Sequence, residues 1–372
     1  MNFDYNEEQQ LLADSVRRYL AKDYEFEKRK KIVASAAGYS AEVWAQLAEM
    51  GLMGLPFSPD YGGFGGGAVD LMGVMEAAGD ALVVEPYLAT VCLGARLVAR
   101  AGSEAQKKAV LPAVVEGKLK LAFAHTEKGA RYNLAHVNAT AKAAGGGWEI
   151  TGEKCVVLGA PSADKLVVSA RTGKGVSLFL VDRAAAGTSV KSYFTLDEQR
   201  AGDVSLKGVK VGADALIGRE GEALPVIEEA MDFATALICA EAVGAMKFAC
   251  DTTLEYLKTR KQFGVPIGTF QALQHRMVDM FVAYEQAKSM ACLACSKADG
   301  ATDARDRARA ISAAKIKIAD NARHISQEAI QLHGGMGMSE ELKVSHTFRR
   351  LTMIAQQFGD AEHHLERFAS NS

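Results

Sequence analysis

The sequence predicts a mainly α-helical protein with a β insert, and three observations carry that reading. Apolar residues recur at helical spacing through residues 1–118. Residues 119–222 switch to short β-rich segments separated by Gly, Asp and Ser turns. From 223 to 372 the chain returns to long Ala-rich runs with Met and Leu on one face. The expected architecture is an N-terminal helical domain, a central β-barrel-like domain and a C-terminal four-helix bundle.

In the first domain, "NEEQQLLADSVRRYLAKDY" sets Leu11, Leu12, Val16 and Leu20 on one helical face. Its acidic residues fall in the first turn, where the helix dipole favours them. "SAEVWAQLAEMGL" opens on a Ser cap and stops at a Gly. "YGGFGGG" (61–67) reads as a tight loop; it lacks the Gly-Lys-Ser/Thr ending of a phosphate loop. "EAQKKAVLPAVVEGKL" is a further amphipathic helix ending at Gly117. The β domain is read from "KLAFAHTE", "GGGWEITGEKCVVL", "DKLVVSAR", "GVSLFLVD" and "GDVSLKGVKV". Within it, Trp148 and Ile150 alternate with polar neighbours, which predicts a hairpin turning at Thr151–Gly152. Four helices are expected over 223–258, 268–297, 302–333 and 339–370, and no internal repeat is evident.

Composition narrows the function classes. The 372 residues suffice for a large core and for two or three structural units. With 49% hydrophobic and 24% charged residues the chain reads as a soluble globular protein. A net charge of −2 gives no argument for nucleic acid or a membrane surface. The start "MNFDYNEEQQ" is polar and acidic rather than signal-like, and no apolar run is expected to reach the roughly 18 residues of a membrane span. A cytoplasmic protein is expected. Its six cysteines sit in apolar surroundings, as in a reduced compartment. Cys292 and Cys295 form a C-x-x-C within the helical "SMACLACSKA", with no second pair or His nearby, so no metal is expected there.

Three clusters can carry chemistry. In "TRKQFGVPIGTFQALQHR", Arg260, Lys261, Gln262 and Phe263 lie near Gln271 and Gln274. Arg260 can fork onto a phosphate, the glutamines can supply amide hydrogen bonds, and Phe263 offers a face for a ring. A helix–helix turn with a solvated basic pair is the bland alternative. In "QLHGGMGM" (331–338), Gly334, Gly335 and Gly337 allow backbone to approach something bulky, where a plain helix stop needs one glycine. In "FGDAEHHLERF" (358–368), Asp360 follows a Gly at the mouth of a helix. His363 and His364 point about 100° apart on a helix, and no third ligand accompanies them, so a metal is not expected.

Taken in order, these motifs resemble the acyl-CoA dehydrogenase family over essentially all 372 residues. "YGGFGGG", "AFAHTE", "TRKQFG" with "FQALQHR", and "QLHGGMG" fall in that family's order and spacing; the ordered set is specific where each alone is weak. "AHTE", "AEAVGAM", "TRKQFGVPIG" and "FGDAEHH" are most similar to the bacterial branch typified by the pimeloyl-CoA dehydrogenase small subunit. The resemblance implies FAD bound across a subunit interface. It puts Arg260 on the pyrophosphate and Phe263 against the nucleotide, with Gln262 also meeting FAD and Gln271 nearby, and Gln331, Gly334 and Gly335 on the adenosine–phosphate half. Phe123 and Thr126 would line the isoalloxazine ring. The implied reaction is α,β-desaturation of an acyl-CoA thioester: a carboxylate takes the α proton while the β hydrogen leaves as hydride to the flavin.

The sequence departs from the family where the base should stand. Counting forward from Arg350 puts Gly359 at the position of the usual Glu; counting back from Leu365 and Arg367 puts Asp360 there. Asp360 is therefore the first candidate base. The family's alternative base position reads Ala234, and Glu241, two turns further along that face, is the runner-up. The usual Trp-Ile-Thr beside the flavin reads Val156, Val157, Leu158; the Ser of "GAGS" reads Tyr132; the Arg after the alternative base reads Thr235. Two readings stay open: a dehydrogenase passing electrons to an electron-transferring flavoprotein, or a non-catalytic small subunit completing a sister chain's flavin site. A homotetramer, a homodimer and an α2β2 assembly fit equally, and oxygen as acceptor is undecided. A purely structural helical scaffold leaves the flavin motifs unexplained.

Overall fold

The computed structural model describes residues 5–371. They divide into two compact units, one of residues 5–30, 67–83 and 235–371, the other of Lys31–Gly66 and Val84–Ala234. The N-terminal helices are α1 (Glu7–Asp23), α2 (Phe26–Ala34), α3 (Ala41–Glu49), α4 (Ala68–Ala81), α5 (Arg96–Ala101) and α6 (Glu104–Val115). The strands that follow are β1 (Leu121–Ala124), β2 (Thr140–Ala144), β3 (Gly147–Leu158), β4 (Lys165–Thr172), β5 (Gly175–Asp182), β6 (Thr188–Phe194), β7 (Arg200–Gly212) and β8 (Leu216–Ile217). The C-terminal part comprises α7 (Leu224–Thr259), a short hairpin β9 (Lys261–Gln262) and β10 (Val265–Pro266), α8 (Gln271–Gly300), α9 (Ala304–His333), α10 (Lys343–Gln356) and α11 (Ala361–Ser370).

Local signals start these helices, the expected Ser40 cap among them. Asn6 and Gln9 form a reciprocal capping box on α1, Ser40 caps α3 through the Val43 amide, and Ser103 and Gln106 box α6. The start of α4 is different, because its cap comes from 231 residues away. Asp299 accepts from the Ala68 and Val69 amides at 2.7 and 2.9 Å. A carboxylate there satisfies two orphan donors and meets the positive end of the helix.

In the helical unit α9 packs against α8, α10 and α11, and α4 packs against α1 and α8. α4 and α7 cross with almost no side chain between them. A Cβ on Gly79 would lie 1.9 Å from the Glu241 carbonyl oxygen, and one on Gly244 1.8 Å from that of Glu76. α7 is long and apolar enough by composition to cross a membrane, contrary to the expectation from sequence, but 89% of its apolar window is buried within the protein. That is the pattern of a core helix.

In the second unit the strands follow the order β6-β7-β3-β2-β4-β5-β8, with β1 parallel to β4. β1 and β2 pair with successive stretches of β4, β1 over Leu121–Ala124 and β2 at Thr140. Ile150, Leu166, Phe179, Val181 and Leu206 point into one apolar core. The residues ahead of α5, Leu88–Ala95, form a buried π-helical stretch. Its Thr90 hydroxyl donates to the Leu121 carbonyl at 3.1 Å and accepts from the Leu121 amide at 3.3 Å, which fixes the start of β1.

Two sequence expectations are corrected. β3 runs unbroken through Thr151–Gly152, where the ladder only shifts register in a bulge; the hairpin turns at Gly145–Gly146, both at positive φ. The run 339–370 is not one helix. It breaks between α10 and α11, where Phe358 (φ 62°) and Gly359 (φ 122°) leave the helical region.

Candidate active site

The "TRKQFG" cluster folds as a two-residue hairpin on the end of α7. Val265 pairs with Gln262 and Pro266 with Lys261, and the turn is Phe263 (φ 55°) and Gly264 (φ 83°). A turn with both central residues at positive φ prefers Asn-Gly or Gly-Gly, so a bulky Phe here is strained. Its ring is 90% exposed, touching Phe270 edge-on at 6.2 Å. The guanidinium of Arg260 makes no hydrogen bond or ion pair among the described residues, although its backbone is held by the Tyr256 carbonyl and the Ile267 amide. Gln271 is exposed at the first position of α8.

The "QLHGG" cluster lies beside this hairpin because of one ring contact. Tyr256, one turn before Arg260, stacks on His333 with centroids 4.5 Å apart. His333 is buried, bonds the Ala329 carbonyl through Nδ1, and has its pKa lowered by burial, so it serves as a neutral prop. Gln331, Gly334 and Gly335 are exposed immediately around it. A Cβ built on Gly334 or Gly335 meets nothing within 4 Å, so the backbone there faces open space. The Tyr256–His333 stack thus links the segment bearing Arg260, Gln262, Phe263 and Gln271 to the one bearing Gln331, Gly334 and Gly335. An apolar groove of about 690 Å³ adjoins the hairpin, lined by Leu254, Leu257, Pro266, Val278 and Phe281 among others.

Phe123 and Thr126 belong to the other unit. Phe123 lies in β1 with little exposure and stacks on His125 at 5.1 Å; Thr126 is exposed, with its carbonyl accepting from the Cys155 amide at 2.8 Å. Beneath them is a buried polar network. Lys154 Nζ donates to the His125 carbonyl at 3.2 Å, to Glu127 Oε1 at 2.7 Å and to Ser169 Oγ at 2.9 Å. Glu127 also accepts from the Asn138 and Ala139 amides. Burial lowers the Lys154 pKa to about 8 and, with the lysine's charge, that of His125 to about 3. Sequence reading missed this network. Its signal was a lysine, Lys154, within a strand-like stretch of a β domain, "GEKCVVL".

The two candidate bases differ in what already holds them. Glu241 is buried and gives both oxygens to Arg350. Asp360 is half-buried and caps α11, with Oδ1 accepting from the His363 amide at 2.8 Å. Its Oδ2 has no hydrogen-bond partner among the described residues. Gly359, the other position reached by counting, has no room for a carboxylate. A Cβ there would lie 2.6 Å from the rings of both His363 and His364. His364 donates Nε2–H to the Phe358 carbonyl at 3.2 Å and meets Ser312 Oγ through Nδ1 at 3.2 Å.

Models of the acyl-CoA dehydrogenase N-terminal, middle and C-terminal domains match residues 6–118, 122–209 and 221–372. The acyl-CoA dehydrogenase FadE12 of Mycobacterium tuberculosis is 32% identical over 370 residues, covering 95% of this chain and 93% of that protein. Among solved structures, the ChsE4–ChsE5 complex of Mycobacterium tuberculosis superposes at a TM-score of 0.91 with 26% identity, covering 100% of this chain and 98% of that one. The FAD complex of PigA superposes at 0.92 with 27% identity and the same coverages.

Proposed function

Because the chain belongs to the acyl-CoA dehydrogenase family, we propose that it carries out FAD-dependent α,β-desaturation of an acyl-CoA thioester and passes the electrons to an electron-transferring flavoprotein. The observation that carries the reading is the Phe263 hairpin: a strained, exposed aromatic beside an unpaired Arg260 and the open backbone of Gly334 and Gly335. A solvated turn has no use for that combination, whereas a dinucleotide with phosphates and rings does.

These residues fit FAD. The planar fork of Arg260 suits a pyrophosphate, and Gln262 and Gln271 offer amide hydrogen bonds beside it. Phe263, Gln331, Gly334 and Gly335 would meet the adenosine–phosphate half, and Phe123 and Thr126 the isoalloxazine. When bound, the flavin supplies the hydride acceptor that no amino-acid side chain provides. Asp360 is the proposed base, since it is the candidate with a free oxygen while Glu241 is committed to Arg350. Its cap bond to the His363 amide fixes the direction of the carboxylate, which is the positioning a proton acceptor needs.

The Phe263 face is exposed in the single chain, which supports a partner subunit completing the cofactor site: a homotetramer, a homodimer or an α2β2 assembly. The six free cysteines support a reducing, cytoplasmic setting. One observation favours a second reading. Asp360 already serves as a helix cap and Gly359 admits no side chain, which suits a small subunit whose sister chain supplies the base.

The test is the visible spectrum of the purified chain, before and after adding a panel of acyl-CoA esters without oxygen. A flavin spectrum that one ester bleaches, and that bleaches far more slowly in Asp360→Asn, supports a self-sufficient dehydrogenase. A colourless protein, or a yellow one that no ester bleaches, supports the small-subunit reading.

A further inference from the structure

Lys315 is an anomaly of the helical unit. It lies in the middle of α9 among Ile311, Ala314, Ile318 and Ala319, with no exposed surface. No carboxylate comes within ion-pair distance of it among the described residues. Burying a cation without a counter-charge is expensive, and an apolar residue would pack the same place at no such cost. What the ammonium does instead is gather two carbonyls. Nζ donates to Ala355 O at 3.2 Å and to Gly359 O at 2.6 Å. Ala355 O is one of the unpaired carbonyls that end α10, and Gly359 O belongs to the break before α11.

The segment between those carbonyls is strained. Phe358 stands at φ 62°, a region that bulky side chains avoid, and Gly359 at φ 122°. From the other side His364 ties the Phe358 carbonyl. A strained turn persists only where its surroundings over-determine it, and here a buried cation and a buried imidazole do so. Asp360 is the next residue, and its charge is one of those that act on Lys315.

We infer that Lys315 is a positioning residue: it ties the end of α10 to the α10–α11 turn and thereby fixes where Asp360 presents its free carboxylate oxygen. The tether is a property of the turn; its catalytic consequence rests on Asp360 being the base.

The test uses the full-length protein in two measurements. Lys315→Met keeps the length and apolar stem of the side chain, and Lys315→Gln, which retains a donor, serves if the first variant does not fold. Amide hydrogen exchange over 358–364 is expected to quicken about tenfold or more in the variant, with α8 unchanged. Unchanged exchange in the turn, or an equal increase everywhere, overturns the tether. The second measurement is a double-mutant cycle on the rate of flavin bleaching by an active ester. Lys315→Met is expected to slow bleaching about tenfold or more in the native background, and by less than about threefold in Asp360→Asn. Fully additive effects overturn the link to Asp360. A native rate in Asp360→Asn alone rejects that residue as the base, and the exchange result then decides the tether by itself.

Discussion

Arg350 and Glu241 form a two-pronged ion pair inside the helical unit: Nε donates to Oε1 at 2.6 Å and Nη2 to Oε2 at 2.7 Å, with both side chains buried. The pair joins α10 to α7 across 109 residues of sequence. It also explains why a glutamate that looks available in the sequence is not. A carboxylate with both oxygens in a guanidinium fork is held as the charged partner of a buried cation, so taking up a proton would break up that pair.

Breaking that pair from one side leaves an uncompensated buried charge. Arg350→Met is expected to destabilise the protein by about 3–5 kcal/mol in urea unfolding. The double variant Arg350→Met with Glu241→Leu should recover most of that loss, because two apolar side chains remove the desolvation cost of both ions. A single variant as stable as the parent would mean the pair is solvated in solution.

The α4–α7 crossing is equally specific. Gly244→Ala puts a methyl 1.8 Å from the Glu76 carbonyl oxygen, which no rotamer can avoid, so one helix must shift. The expected cost is about 1–3 kcal/mol, seen as a lower melting temperature. An unchanged melting temperature would show that the crossing has slack.

Phe263 should trade stability against binding. Phe263→Asn puts a residue that tolerates positive φ at the hairpin turn, so the apo protein is expected to gain about 0.5–1 kcal/mol. FAD retention, followed by flavin fluorescence on dilution, should fall at the same time because the exposed ring is gone. Loss of stability together with unchanged retention would return the hairpin to a purely structural role.

Acid should weaken the fold before ordinary carboxylates titrate. Burial first, with nearby lysine charge, lowers the folded pKa of His125 to about 3 and of His364 to about 2. Unfolded, each titrates near 6.5. Below that pH the unfolded chain binds protons that the folded chain refuses, so stability falls as pH drops. The expected slope approaches ~1.4 kcal/mol per pH unit for each ring. Melting temperature should therefore be flat with respect to these two groups above pH about 6.5 and decline toward pH 5. His364→Gln should show a shallower decline, and an identical slope would mean His364 is solvated.

Much of this was legible in the chain itself. The alternation of helical and β periodicity located the helical and β segments, because the spacing of apolar residues follows directly from 3.6 and 2 residues per turn. Ser40 announced a helix start because a cap bonds amides only two or three residues away. The proposed cofactor residues could be nominated from sequence because "TRKQFG" and "QLHGG" each concentrate their chemistry within a few residues. The Thr151–Gly152 turn was misread because a glycine in a strand signals a bulge as readily as a turn. The split of residues 339–370 falls at Gly359, a local signal the helical pattern overrode, and what holds it comes from outside: Lys315 and His364 on carbonyls of the break. The same holds for Glu241 with Arg350, Asp299 on α4, and Lys154 with Glu127. Sequence alone determined most of which segments are helix or strand, since periodicity and capping depend on near neighbours. Tertiary structure decided which carboxylate is free and which charge is buried, since those depend on side chains brought together only when whole helices pack.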